Sequence, residues 1–299
     1  MSGHPFPRWA SIALLVVIAT SFGSNHIAAR VAFEHGANVI DAVVARSCGT
    51  ALALFALLLA LRVPLRVPAA TLGRAAVIGI ALAAQSYCIY SAVARLPVAL
   101  ALLTFNTYPM LYAIAAWAMG AEARPPTRAL LAMPVALFGL ALALDVIGGV
   151  QKMSQRWIEI GAGAGFAIAA SIAFAAVLLL NARWTQGMDG RLRSCVTLAS
   201  CGAVALAGAG ATGSFVAPAD GAGWLALALL TLFYGSSITG LFVLQPRMRS
   251  ASDVAVLNFE PVAVLFLGWA ILGQGLEPRQ IAGAVIVIGC IVAIGTARR

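Results

Sequence analysis

Apolar runs of membrane-crossing length recur ten times along this chain, and that recurrence restricts its fold more than any single residue does. They cover approximately 9–29, 38–60, 72–93, 98–119, 129–147, 158–180, 194–214, 223–244, 251–273 and 280–296. A helix needs about 20 apolar residues to cross the hydrocarbon core. Inside lipid every backbone N–H and C=O must find its partner within the protein, which leaves helices or closed barrels. Barrel strands would read as alternating segments of about ten residues. These runs are apolar on all sides, so the expected class is an all-α integral membrane protein.

Composition agrees. Charged residues make up 10% of the 299 and apolar residues 62%, against about 25% charge in soluble domains. The net charge of +9 does not point to nucleic acid, because the arginines sit mostly between apolar runs, where membrane anchoring accounts for them. Arg8 followed by Trp9 to Phe22 has the outline of a signal peptide. No cleavage site follows and the apolar character continues past Ser24-Asn25-His26, so this is read as the first span. Cys48, Cys88, Cys195, Cys201 and Cys290 lie in or beside apolar runs without CxxC spacing. They read as small buried side chains, with neither a disulfide framework nor a metal site.

Loop charge sets the orientation. With the N-terminus inside, thirteen of the 19 basic residues fall on the inner side, Arg193 among them, and six on the outer. Both termini are therefore expected in the cytoplasm. The polar connection Asp145 to Glu159 divides the chain into 1–150 and 151–299, five spans each. Asn106, Pro109, Trp117 and Pro126 recur 152 positions later as Asn258, Pro261, Trp269 and Pro278. Five is odd, so the second copy enters the membrane inverted. The expectation is ten transmembrane helices in two inverted five-helix repeats, with a substrate site near mid-membrane at their interface.

Glu260 is the leading candidate for function. Only apolar residues and Asn258 flank it for several positions, and an ionisable group at such depth usually faces a cavity or partner. It suits a proton carrier or a partner for a substrate ammonium; the competing reading is a structural acid at a kink. Pro109 and Pro261 are the expected helix breaks. Asn106 and Asn258, each three residues before its proline, divide between solute contact and hydrogen-bonding within the bundle. Tyr108, beside Pro109 and pseudo-equivalent to Glu260, is a pocket candidate, as is Tyr234. Tyr87 and Tyr90, at i and i+3 with Gln85 and Ser86 nearby, are expected to line a pocket for a moderately apolar solute. Trp117 and Trp269, toward span ends, read as interfacial anchors. Asn25 and His26 lie near the outer end of the first span, His26 as a relay or as a contact of Asp41. Arg46 either binds an anionic group or pairs with Asp41 or Glu34. Gly161, Gly165 and Ala169 form a small-residue stripe, read first as packing between spans and second as a dimer face.

Several motifs carry a family resemblance. Phe22-Gly23-Ser24-Asn25 resembles a Trp-Gly-Ser-Asn motif with Phe for Trp, and Arg46 matches a second-span arginine. Pro109 to Gly120-Ala121-Glu122 resembles a fourth-span proline followed by Gly-Glu, with one extra residue here. The second copy runs from Pro261 to Gly273-Gln274, with Gln in place of the acid. In order and spacing these resemble the EamA-like branch of the drug/metabolite transporter (DMT) superfamily. The resemblance implies a secondary transporter of a small-molecule solute, an amino acid or amphiphilic metabolite. It further implies export or uptake across a bacterial inner membrane, and the first expectation is export by alternating access, coupled to protons or to exchange.

Other classes fit less well. The chain has no HExxH and no nucleophile beside a base. Its only lysine is Lys152, so no phosphate loop is present. An integral-membrane enzyme or a non-transporting membrane interaction protein is the alternative. The expected partners are the solute, the lipid bilayer and protons, with no nucleic acid and no cofactor. A monomer is the first expectation and a dimer the second.

Overall fold

The computed structural model describes residues 7–93, 95, 98–121, 124–144, 157–248, 251–272 and 276–296. Those residues are helical apart from short connections. The helices are α1 (Arg8–Glu34), α2 (Val39–Ala60), α3 (Ala69–Val93), α4 (Val98–Phe105), α5 (Tyr108–Ala118), α6 (Thr127–Ala143), α7 (Trp157–Trp184), α8 (Gly190–Thr212), α9 (Gly221–Leu244), α10 (Glu260–Leu272) and α11 (Pro278–Thr296). A 3-10 helix over Ala251–Phe259 precedes α10 directly. Six helices among the described residues are long and apolar enough to cross a membrane, and the shorter apolar helices α6 and α11 add to them. The expected fourth span is α4 with α5, and the ninth is the 3-10 helix with α10. The Asp145–Glu159 connection up to residue 156, together with Pro97, Glu122 and Gly273-Gln274, lies outside the described residues.

Helix ends are set by local chemistry. Asn38 accepts from the Asp41 N–H and Asp41 accepts from the Asn38 N–H, a reciprocal box at the start of α2. Asp189 caps α8 through the Arg191 N–H at 2.8 Å, and Asp220 caps α9 through the Gly223 N–H at 2.9 Å. Each such cap contributes about 1 kcal/mol. Gly213 ends α8 with φ +60°, the left-handed turn that glycine adopts without a Cβ clash.

The described residues form two compact units. Unit 1 contains the described residues within 21–84 and 180–247, and unit 2 contains those within 7–20, 85–179 and 248–296. In unit 1, α2 packs against α8 and α9. The contact is close because glycine stands at the crossings. A Cβ on Gly202 would lie 2.5 Å from the Cys48 sulfur, and one on Gly235 would lie 2.4 Å from Thr50 Oγ1. An alanine-rich cluster of Ala28, Ala29, Ala32, Ala37, Ala42 and Ala226 closes the core with Leu227 and Leu230.

In unit 2 the main packing pair is α6 with α11, and the 3-10 helix packs on α5, α6 and α11. Gly139 and Gly283 meet at the α6–α11 crossing, where a Cβ on Gly283 would lie 2.4 Å from the Gly139 carbonyl.

Two expectations are corrected here. Among the described residues nothing lies within 4 Å of a Cβ built on Gly161 or Gly165, and Ala169 is exposed as well. The stripe does not pack one span on another; α7 presents it outward. Arg193 is not a solvated loop anchor but is 2% exposed. It donates to Thr185 Oγ1 at 3.2 Å and to the Phe242 carbonyl. The first turn of α8 is held inside unit 1, and the guanidinium finds neutral acceptors there.

Candidate functional site

The polar centre of unit 2 is built where two spans are interrupted. α4 stops at Phe105 and α5 begins at Tyr108 with Pro109 in its first turn. Pro109 has no N–H to give a preceding carbonyl, and its fixed φ suits a helix start. The second interruption is longer. The 3-10 helix runs nine residues, although runs beyond three or four are uncommon and a 3-10 stretch inside a span often marks a hinge. α10 then starts at Glu260-Pro261, so the Glu260 carboxylate sits in the first turn, where the positive end of a helix favours an anion. α5 and the 3-10 helix pack together.

The two interruptions carry Asn106 and Tyr108 on one span and Asn258 and Glu260 on the other. They are 2%, 2%, 2% and 9% exposed. Asn106 Nδ2 donates back to the Leu102 carbonyl at 2.8 Å, which leaves Asn106 Oδ1 buried without a hydrogen bond. Asn258 Oδ1 is buried without one as well. Tyr108 lies within electrostatic reach of Glu260, and its ring stands edge-on to Phe174 at 4.7 Å and beside Phe105 at 5.1 Å. Thr107 Oγ1 and Ser171 Oγ lie 2.8 Å apart, joining the α4–α5 break to α7. Sequence reasoning missed this pair; the signal was Ser171 alone in an apolar run.

Among the described residues, the other candidates of unit 2 are spread over different faces of α3. Gln85 and Ser86 are buried, with Ser86 Oγ 3.5 Å from Gln85 Oε1. Tyr87 is 68% exposed and meets Phe166 edge-on at 6.3 Å. The guanidinium of Arg95 lies 5.0 Å over the same Phe166 ring. Consecutive helical residues point about 100° apart, so Gln85 and Tyr87 occupy different faces of α3. The side chain of Tyr90 lies outside the described residues.

Unit 1 has its own polar cluster. Arg46 from α2 places its guanidinium 4.1 Å over the Tyr234 ring of α9. Phe22 from α1 packs edge-on to Tyr234 at 6.1 Å. Arg46 and Tyr234 are each 6% exposed and Asn25 is 3% exposed. Such a desolvated cation–ring contact stabilises by about 2 kcal/mol. Asn25 Oδ1 has no hydrogen bond. One turn away, Ser21 Oγ donates to the Phe233 carbonyl at 3.2 Å. The expected Asp41 contacts with Arg46 or His26 are corrected: Asp41 accepts from the backbone N–H groups of Asn38 and Val216. Its place in the first turn of α2 commits it to capping.

At one end of unit 1, His35 Nδ1 lies 2.7 Å from Asp220 Oδ2, and the Ala219 N–H donates to the His35 carbonyl at 2.9 Å. The Gly223 N–H first, then the His35 side chain, hold the Asp220 carboxyl below its ordinary value of 3.8. On the opposite side the Arg191 guanidinium, hydrogen-bonded at 2.9 Å, lowers that of Asp189.

The described helices make this a multi-pass membrane protein, and residues 161–296 match the model of the EamA-like transporter family. A solved structure, described only as a crystal structure of a protein, superimposes with a TM-score of 0.81 at 18% identity. The match covers 96% of this chain and 98% of that one, and shows a shared fold. No curated protein matches.

Proposed function

We propose that the protein is a secondary transporter that moves a small organic solute, an amino acid or amphiphilic metabolite, by alternating access. The observation that carries this reading is Glu260, a buried carboxylate at the start of α10 immediately after nine residues of 3-10 helix. A structural acid needs no interrupted helix around it; a site that exchanges partners during a transport cycle does. The proposal takes residues 1–150 and 151–299 as inverted repeats, export from the cytoplasm as the direction, and protons or a second solute as the coupling partner. Arg46, Asn25 and Tyr234 in unit 1 supply a second polar cluster, suited to an anionic or aromatic group.

The test is solute flux in proteoliposomes, wild type beside Glu260→Gln, with and without an imposed pH gradient. The solute pool is a mixture of amino acids and metabolites read by mass spectrometry. The glutamine keeps the size and loses the charge, so gradient-dependent flux should fall at least about tenfold, the scale of removing one charge-assisted contact. Full flux by a well-expressed variant would return Glu260 to a structural role.

A further inference from the structure

Asn106 and Asn258 share a feature that solute transport by Glu260 alone does not require. Each is 2% exposed, each sits at an interruption of a span, and each leaves its amide oxygen without a hydrogen bond. A buried acceptor without a donor costs about 1–3 kcal/mol. Here the same omission occurs at corresponding positions of two spans that pack together. In Asn106 one N–H of the amide donates back to the Leu102 carbonyl, while the oxygen is left as an acceptor at the break. Glu260, two residues after Asn258, adds a carboxylate. Two amide oxygens without a hydrogen bond and one carboxylate thus lie buried at interruptions on elements that pack together, an arrangement suited to a positive charge.

We propose that the interrupted spans of unit 2 form a monovalent-cation site, with Asn106 Oδ1, Asn258 Oδ1 and the Glu260 carboxylate as its oxygen ligands. Hard cations take such oxygens, and amide or carbonyl oxygens can replace a hydration shell when they are held in place beforehand. One carboxylate balances one charge. No cluster of three His, Cys, Asp or Glu side chains occurs among the described residues, so the set lacks the charge a divalent ion demands. The same oxygens suit a sodium ion or a primary ammonium group on a solute, because both present a compact positive charge. The Phe105 and Phe174 rings beside Tyr108 add an apolar wall that keeps bulk water from competing.

The site rests on the transport reading only for its use, and its test needs no flux. The full-length protein, purified in detergent, is unfolded by heat in sodium, methylammonium or choline chloride at equal ionic strength. Choline has no N–H and is too large, so it serves as the reference. A ligand that binds only the folded state raises the melting temperature, here by roughly 2–4 °C at saturating concentration. Stabilisation by sodium alone identifies an inorganic ion, and stabilisation by methylammonium alone identifies the amine of a solute. Either response should vanish in Asn258→Leu and in Glu260→Gln. Asn258→Asp keeps an oxygen in place and adds charge, so its response should be larger than wild type, which preserves the test if the leucine variant fails to fold. Equal melting in all three salts would mean that water alone fills the break, and the site would be lost. A response unchanged by both Asn258→Leu and Glu260→Gln would place the ion elsewhere and overturn the assignment. A protein that responds to the ion and yet carries no solute would instead sink the transport reading and leave the site standing.

Discussion

Gly283 shows how much one missing side chain decides in an apolar bundle. A Cβ there would stand 2.4 Å from both the Gly139 carbonyl and the Ala143 nitrogen, so any larger residue must push α11 off α6. Gly289, six residues on in the same helix, meets nothing within 4 Å among the described residues. Gly283→Leu should therefore destabilise by about 1–3 kcal/mol through overpacking. Gly289→Ala should be neutral or slightly stabilising, by up to about 1 kcal/mol, since alanine favours a helix. Melting temperatures of the two purified variants check this, and equal effects would contradict the crossing. Nothing local distinguishes the two glycines in the sequence, because contact with another helix is a tertiary property. The same limit explains Gly161 and Gly165: their spacing permits close packing but does not say whether a neighbour is present.

At the scale of elements, the spans were readable because length and uniform apolarity suffice once lipid removes every backbone partner except the helix's own. The two interruptions were readable as well, since α5 and α10 begin around Pro109 and Pro261. What could not be read was the form of the second one. Proline explains a missing hydrogen bond, not nine residues of 3-10 geometry, which depends on packing against α5, α6 and α11. The joining of α1 to α2 and of α8 to α9 carries its own expectation. The Asp220 carboxyl is held low by the Gly223 N–H and His35, and a depressed carboxylate stabilises the fold above its unfolded value and loses that contribution as pH falls. The loop contact should therefore persist at neutral pH and weaken as pH falls below the ordinary carboxyl value of 3.8. Melting followed from about pH 6 to about pH 3 should fall more steeply in wild type than in Asp220→Asn. Parallel curves would show that the contact carries no linkage.

At the scale of the molecule, orientation follows from loop charge. Loop charge predicts a cytoplasmic connection between α2 and α3 and an external one between α8 and α9. In a background with the five native cysteines replaced by serine, Phe215→Cys should react with a membrane-impermeant maleimide in intact cells. Pro64→Cys should react only after permeabilisation, and the reverse pattern would invert the topology. Apolar length was enough to determine the all-α membrane class and the long spans, because the bilayer imposes these on each segment separately. Asn106, Asn258, Glu260 and Tyr108 could be named as candidates on the same ground, being polar groups in apolar runs. Only the tertiary structure decided that α5 meets the 3-10 helix, that Arg46 lies over Tyr234, that Tyr87 turns outward and that Arg193 is buried. Those outcomes depend on which face of each helix meets which neighbour, and a helix that is apolar on every side carries little local information to choose its buried face.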